Sequence, residues 1–407
     1  MTGLLAGVRV LDLSGLLPGP YASLLLADMG AEVIKVESRL GDLMRQVPPM
    51  AGEESLWFLA FNRNKHSLGL DLRKKPARAL FLDLVAESDV VIEGFRPGRA
   101  ERLGVGPASC RAANRRLVYC SISGYGQTGP DAGRSGHDIT YLARSGALGL
   151  FRTPDGAPVM PPLQIADLAA GTTAALAICA ALVARATSGE GCQLDLSMLE
   201  SVLPWLAGFL ASKSSPTPLD VGTVPLAGRY PFYNVFPTAD GGSIALGALE
   251  PLFWGDLCTV LERPDLVRHQ FDDGPDRLAL FDTLRAEFAA RPTAEWAALF
   301  RAHDLPAEVV ADLDDVLVDP HLQARGALVV VTVPALGPVT QVASPVRVSG
   351  AAPIPARPAP PQGADTRAIL RRVLDLDEAT IDNFFRDGVV FDAETVAPRR
   401  IAPEAVP

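Results

Sequence analysis

Val8-Arg9-Val10-Leu11-Asp12-Leu13 opens the stretch that decides the fold. Gly15-Leu16-Leu17-Pro18-Gly19-Pro20, the run Tyr21 to Met29, Gly30, and Ala31 to Val36 complete it. Residues 8–13 read as a short buried strand. The glycine and proline cluster after it is a tight turn, because those residues adopt turn backbone angles readily. Tyr21 to Met29 is a helical run, and Gly30 is its stop signal. Ala31 to Val36, mostly apolar, is a second strand. Working outward, the cycle repeats. Strands are expected near 66–72, 89–95 and 116–123, and a helix over 76–87. Apolar strands alternating with helices make a mostly parallel sheet covered on both faces. The fold class is α/β, with a Rossmann-like large domain.

Farther along, residues 167–186 form an Ala-rich helix, apolar nearly all round and therefore expected to be buried. Another helix spans 198–212. Ser214 to Thr223 is rich in Ser, Thr, Pro and Gly and reads as a linker. Phe232 to Leu249 reads as a hairpin turning at Ala239-Asp240-Gly241-Gly242. Helices near 251–262, 277–289 and 293–302 follow, making a smaller α+β domain. Strand character returns near 327–333 and 344–349. Ala351 to Pro361 carries five prolines and is a stiff extended connector. Two amphipathic helices, 365–374 and 377–386, close the chain. The expected organisation is a large domain over 1–196, a linker over 197–227, a small domain over 228–325, a return to the large domain over 326–395, and a frayed tail over 396–407.

Composition limits the function classes. The chain has 407 residues, 48% of them hydrophobic, which is enough for two cores. Lys and Arg total 37 against 47 Asp and Glu, a net charge of −10. Such a surface does not suit nucleic acid or an anionic membrane. The five cysteines show no CxxC spacing and read as buried free thiols of a reducing compartment. The N-terminus lacks a basic leader, and no apolar run reaches the roughly 18 residues that span a bilayer. A cytoplasmic protein is expected.

Two segments carry the chemistry. Ser135-Gly136-His137-Asp138-Ile139-Thr140-Tyr141 holds one of only five histidines, in a Gly-bounded turn. Gln164-Ile165-Ala166-Asp167-Leu168-Ala169-Ala170-Gly171 holds a carboxylate in the same relation to the next apolar segment. A His and an Asp at the mouths of two successive helices can face one small substrate from two sides, as two-base proton transfer needs. Each also has a structural explanation. His137 suits a helix start, and Asp167 is a favoured N-cap. Glu250, before Pro251, suits helix capping too. Gly124-Tyr125-Gly126-Gln127-Thr128-Gly129 matches GxGxxG, yet no helix begins inside it, so it reads as a loop for close backbone approach and not as a dinucleotide fingerprint. Arg96 lies just past a strand end, where ligands of open α/β sheets bind. Arg39, Arg45, Arg63 and Lys65 form a local basic cluster suited to phosphates or to a solvated face. No metal-ligand cluster is evident.

Together these motifs resemble the family III CoA-transferases, the CaiB/BaiF superfamily, which includes formyl-CoA transferase, carnitine CoA-transferase and α-methylacyl-CoA racemase. The resemblance runs from Leu4-Leu5-Ala6-Gly7 through Leu25 to Glu37, Asn62-Arg63-Asn64-Lys65, Glu93-Gly94-Phe95-Arg96-Pro97-Gly98 and Gly124 to Pro130, and on to Asp167 to Met198. In the family, Asp167 would be a nucleophile in transferases or one of two acid/base residues in the racemase. Gly136-His137-Asp138-Ile139-Thr140-Tyr141 is similar to the racemase motif, with Thr140 replacing Asn. Gly247-Ala248-Leu249-Glu250-Pro251-Leu252-Phe253 is similar to the segment whose glutamate supports that histidine. Leu168, Ala169 and Ala170 replace the glycines that usually follow the racemase aspartate, reshaping the acyl pocket.

The resemblance implies a C2 epimerase of acyl-CoAs with His137, Asp167 and Glu250 catalytic, or a CoA-transferase as the alternative. It implies substrate contacts from Leu17, Arg39, Arg63, Lys65, Arg96, Asp138 and Tyr141. No cofactor beyond the coenzyme A of the substrate is expected. It further implies an interlocked homodimer in which one chain's small domain serves the partner's active site.

Overall fold

The computed structural model describes residues 3–153, 155–217, 221–334, 336–350 and 352–395. The tail expected from 396 lies outside them. The chain divides into two compact units, Met1–Leu206 with Leu322–Pro407 and Ala207–His321.

Six strands of the larger unit run parallel: β1 (Arg9–Asp12), β2 (Glu32–Glu37), β3 (Lys65–Leu70), β4 (Val90–Glu93), β5 (Val118–Ser123) and β6 (Gln193–Ser197). The sheet order is Val390–Phe391, β3, β2, β1, β4, β5, β6. Val390–Phe391 pairs antiparallel with β3, an edge strand too short to show in the sequence pattern. The chain steps outward from β1 to β2 to β3. It then returns to the other side of β1 as β4 and continues to β5 and β6. That reversal is a topological switch point, and it opens a crevice at the strands' carboxyl ends.

Strand alternation divides the core. Val10, Val33, Val90 and Val118 pack on one face with α1 (Pro18–Asp28) and the long helix Ile165–Ser188. Leu11, Ile34, Val91 and Tyr119 point the other way, toward Leu80, Phe81 and Leu84 of Lys75–Ala86 and Ile369 and Leu370 of Thr366–Leu374. Successive residues of a strand point to opposite faces, so these apolar runs need both layers. Each fully buried Leu, Ile or Val contributes about 1.5–3 kcal/mol.

Several expectations are revised. The segment read as one helix over 198–212 is broken into Met198–Val202, a 3-10 turn at Leu203–Leu206, and Ala207–Ser214. The returning hairpin pairs Leu328–Val333 with Gly337–Val342, earlier than 344–349. Ile165–Ser188 is long and apolar enough, by length and composition, to cross a bilayer, although no such run was expected. Its Ala166, Ala170, Ala174 and Ile178 are buried, but Leu176 and Val183 on the other side are 70% and 72% exposed. Among the cysteines, Cys110, Cys120 and Cys258 are buried, whereas Cys192 is exposed.

The basic cluster is also revised. Arg63 forms a two-pronged ion pair with Asp28 and donates to the Val342 carbonyl at 2.7 Å. Lys65 is buried, donating to Asn62 Oδ1 at 2.8 Å and the Pro20 carbonyl at 2.9 Å, with Asp12 3.4 Å away. Burial, with Lys35 nearby, pushes Lys65 down to about 7 despite Asp12. Arg45 pairs with Glu37 at 2.7 Å. These cations neutralise interior carboxylates and are not a phosphate cluster, because the chain brings distant acids to them.

The second unit holds the expected hairpin, Tyr233–Pro237 with Ser243–Gly247, extended by Ala307–Val309. Its core is aromatic, with Trp254, Phe288 and Trp296 fully buried. Glu250 stands at the N-cap of Pro251–Val260 and its side chain makes no capping bond.

Arg63→Ala should leave the Asp28 carboxylate buried without its partner. The expected loss of stability is about 3–5 kcal/mol, read by urea unfolding.

Candidate active site

The crevice at the switch point is built from backbone that leaves three strand ends. Ser14 to Leu16 follow β1, Gly94 to Pro97 follow β4, and Ser123 and Gly124 end β5 and begin the next loop. Two adjoining chambers share Ser14, Gly15, Leu16, Gly94 and Phe95. The smaller, about 300 Å³, is also lined by Arg96, Arg134, His137, Tyr141, Asp167 and Met198. The larger, about 570 Å³, carries Arg39, Arg73 and Arg99.

A buried ion network holds the shared rim. Lys35 Nζ donates to the Ser14 carbonyl at 3.0 Å and pairs with Asp42 at 2.7 Å. Asp42 Oδ1 accepts the N–H of Leu16 at 2.8 Å. Asp12 accepts the N–H of Ser14 at 2.9 Å and the hydroxyl of Ser23 at 2.6 Å. Burial would raise Asp12, but Lys35 and Lys65 hold it at about 2. Leu16 takes a positive φ of 62°, a strained state for a leucine, at the junction of the chambers.

Asp167 is not an N-cap. It is the third residue of Ile165–Ser188, whose N-cap is Gln164. The capping acceptor comes from elsewhere in the chain. Asp138 Oδ1 accepts from the N–H groups of Ala166 at 2.6 Å and Asp167 at 3.1 Å. The Asp167 side chain is therefore released toward the cleft. Burial, reinforced by the neighbouring Asp138 charge, pushes it up to about 7. The helix N-terminus, which favours an ionised carboxylate, does not prevail. At Gly171 a Cβ would lie 2.7 Å from the Pro18 carbonyl. Glycine there lets the helix carrying Asp167 meet the start of α1.

His137 is the exposed N-cap residue of Asp138–Ser145. Its N–H donates to Thr140 Oγ1 at 3.0 Å, so Thr140 anchors the turn. Tyr141 is buried, and burial, with Tyr125 and Asp167 nearby, raises its hydroxyl to about 12. That hydroxyl occupies the space a side chain at Gly124 would need: a Cβ there would approach it to 2.5 Å. Of the GxGxxG segment only Gly124 is closely packed, and no helix starts between that segment and Asp138.

The remaining candidates separate. Arg96 lines the smaller chamber and donates to Ser135 Oγ at 2.6 Å. Arg39 lines the larger chamber and stacks over Phe391. Leu17 does not face the cleft; it is 3% exposed and packs with Met44 and Phe58. Arg63 lines a different cavity, with Leu4 and Met29, and Lys65 is interior. Glu250 lies in the second unit. Sequence reasoning missed Arg73, Arg99, Arg134 and Ser123. The available signal was position, since Arg73 and Ser123 stand at or just beyond the carboxyl ends of strands. Among the described residues no group of three or more His, Cys, Asp or Glu could hold a metal ion.

A profile of CoA-transferase family III matches residues 5–366. The succinyl-CoA:glutarate CoA-transferase of Mus musculus is 34% identical over 402 residues, covering 96% of this chain and 91% of that protein. The alpha-methylacyl-CoA racemase of Homo sapiens is 35% identical over 339 residues, covering 80% and 82%. The crystal structure of Rv3272 from Mycobacterium tuberculosis superposes with a TM-score of 0.78 at 32% identity, covering 90% of this chain and 99% of that one.

Two predictions come from the aspartate pair. With its carboxyl raised to about 7, the folded chain keeps a proton at Asp167 that the unfolded chain releases near pH 4. This group's contribution to stability is full below about pH 4 and is lost as pH rises to about 7. Asp167→Asn should therefore melt above wild type at pH 8, with the gap closing toward pH 4 in a thermal scan. Asp138→Ala should cost about 0.5–2 kcal/mol for the lost cap and move the Asp167 titration, followed by NMR, to lower pH.

Proposed function

The chain belongs to CoA-transferase family III, and within it we propose an acyl-CoA C2 epimerase that works by two-base proton transfer through an enolate. One observation supports this above the others. His137 and Asp167 line one small chamber, and the Asp167 carboxyl is raised to about 7. Near neutral pH such a group is present in both forms, so it can accept a proton from one enantiomer and donate to the other. An ordinary carboxylate cannot donate at that pH.

The thioester carbonyl acidifies C2. One base takes the C2 proton, the C–H electron pair becomes the C1–C2 double bond, and the carbonyl π pair moves to oxygen. The acid on the opposite face then returns a proton to C2. An imidazole has an ordinary pKa near 6.5 and can serve either direction. The N–H groups of Asp138 and Ile139, the first two of Asp138–Ser145, have no carbonyl partner within the helix and can donate to the enolate oxygen. Loss of one such donor typically costs about 2.7–4 kcal/mol in the transition state. The CoA phosphates fit the larger chamber, where Arg39 and Arg99 supply charge and Arg73 is paired with Asp71 at 2.8 Å. Glu250 is assigned its part by family resemblance alone. Coenzyme A of the substrate is the only cofactor in this scheme, and the cytoplasm is its proposed location. A homodimer is part of the proposal, favoured by the exposed Leu176 and Val183 of Ile165–Ser188.

A second reading is favoured by relatives named as CoA-transferases. There the ionised Asp167 would attack the acyl-CoA carbonyl, expel the CoA thiolate and carry the acyl group as an anhydride. The two readings part in deuterium oxide. With a panel of 2-methylacyl-CoAs, the epimerase exchanges C2 hydrogen for deuterium, seen by NMR. His137→Ala should lower epimerisation by roughly 10²–10⁴-fold. CoA transfer to an added free acid without C2 exchange in wild type would refute the epimerase.

A further inference from the structure

Ser123 is the last residue of β5, at the carboxyl edge of the sheet, and it lines the chamber of His137 and Asp167. It is 5% exposed, and its Oγ has no hydrogen-bond partner among the described residues. Other buried serines in this unit use their hydroxyls. Ser23 donates to Asp12 at 2.6 Å, Ser67 to Glu37 at 2.7 Å, Ser88 to the Leu84 carbonyl at 2.7 Å and Ser201 to the Ser197 carbonyl at 2.8 Å. Ser197, paired in register with Ser123 on β6, caps the next helix through the N–H of Glu200 at 3.2 Å. A buried hydroxyl without a partner is disfavoured and needs a reason.

Position supplies one. The backbone beyond Ser123 is fixed tightly, since Gly124 is closed off by the Tyr141 hydroxyl. Ser123 thus sits at the chamber wall, and its hydroxyl is not taken up by the loop that follows. It is a neutral donor on rigid sheet backbone, next to an acid and a base that both need the substrate carbonyl activated. A donor held in place before charge develops requires no reorganisation when the enolate forms.

We infer that Ser123 is a further catalytic residue, whose Oγ–H donates a hydrogen bond to the acyl carbonyl oxygen as that oxygen becomes the enolate oxygen. No proton changes owner in this contact. The inference rests on the epimerase reading for its enolate, but the contact with the carbonyl oxygen does not.

The test uses the full chain with the same panel of 2-methylacyl-CoAs in deuterium oxide. Where wild type exchanges C2 hydrogen, Ser123→Ala should lower kcat by about 10²-fold, the usual loss for one such donor, with KM within about threefold. A purely structural serine would not give that split. Ser123→Thr, which keeps the hydroxyl, should retain most of the rate. An unchanged kcat in Ser123→Ala overturns the assignment. Where wild type shows no exchange, the epimerase reading fails by itself, and calorimetry judges Ser123. Acetyl-CoA should then bind more tightly than S-ethyl-CoA, a thioether without the carbonyl, and the difference should vanish in Ser123→Ala. Equal binding of the two in wild type, or an equal difference in both proteins, overturns it. Circular dichroism identifies a variant that has not folded, and Ser123→Cys then replaces Ser123→Ala in either arm, judged by the same outcomes.

Discussion

The ammonium of Lys35 is fully buried, and the cleft depends on what surrounds it. Asp42, Asp12 and the Ser14 carbonyl converge there, and Glu37 stands close enough to act on its charge. Burial would discharge the lysine, but these acids outweigh that and keep it raised. A buried charge left without its partner is strongly destabilising, so the loop after β1 is fixed in one arrangement. That loop forms the shared rim of both chambers. The strained Leu16 persists because Asp42, itself bound to Lys35, holds its N–H.

The same opposition of burial and charge sets the chemistry at Asp167. A helix N-terminus would keep the carboxylate ionised. Asp138 takes up the N–H groups of Ala166 and Asp167 and adds a like charge beside them. One acid thus blocks the stabilisation that its neighbour would otherwise receive. The cap that looked sufficient to explain Asp167 belongs to Asp138, and Asp167 is left facing the cleft.

Much of this was legible beforehand. The strands near 8–13, 31–36, 89–95 and 116–123 were readable because buried parallel strands are continuous apolar runs bounded by turn residues. His137 and Asp167 were readable as the mouths of two successive helices, and both do line one chamber. Arg63 and Lys65 were misread because a charge in sequence carries no sign of which distant acid will meet it. Asp28 and Asp12 lie far from them along the chain but adjacent in space. Leu17 was misread for a related reason: a turn beside a cleft can still turn one side chain inward.

The sequence by itself determined the strand–helix alternation, the family and the placing of His137 and Asp167 at two successive helix mouths, because periodicity, turn chemistry and short motifs are local. The tertiary structure alone decided which arginines line the cleft, which carboxylates are neutralised, that Asp167 is raised to about 7, and that the Ser123 hydroxyl has no partner among the described residues. Those outcomes depend on burial and on Coulomb interactions at a few ångströms between residues remote along the chain, and only the folded arrangement sets those distances.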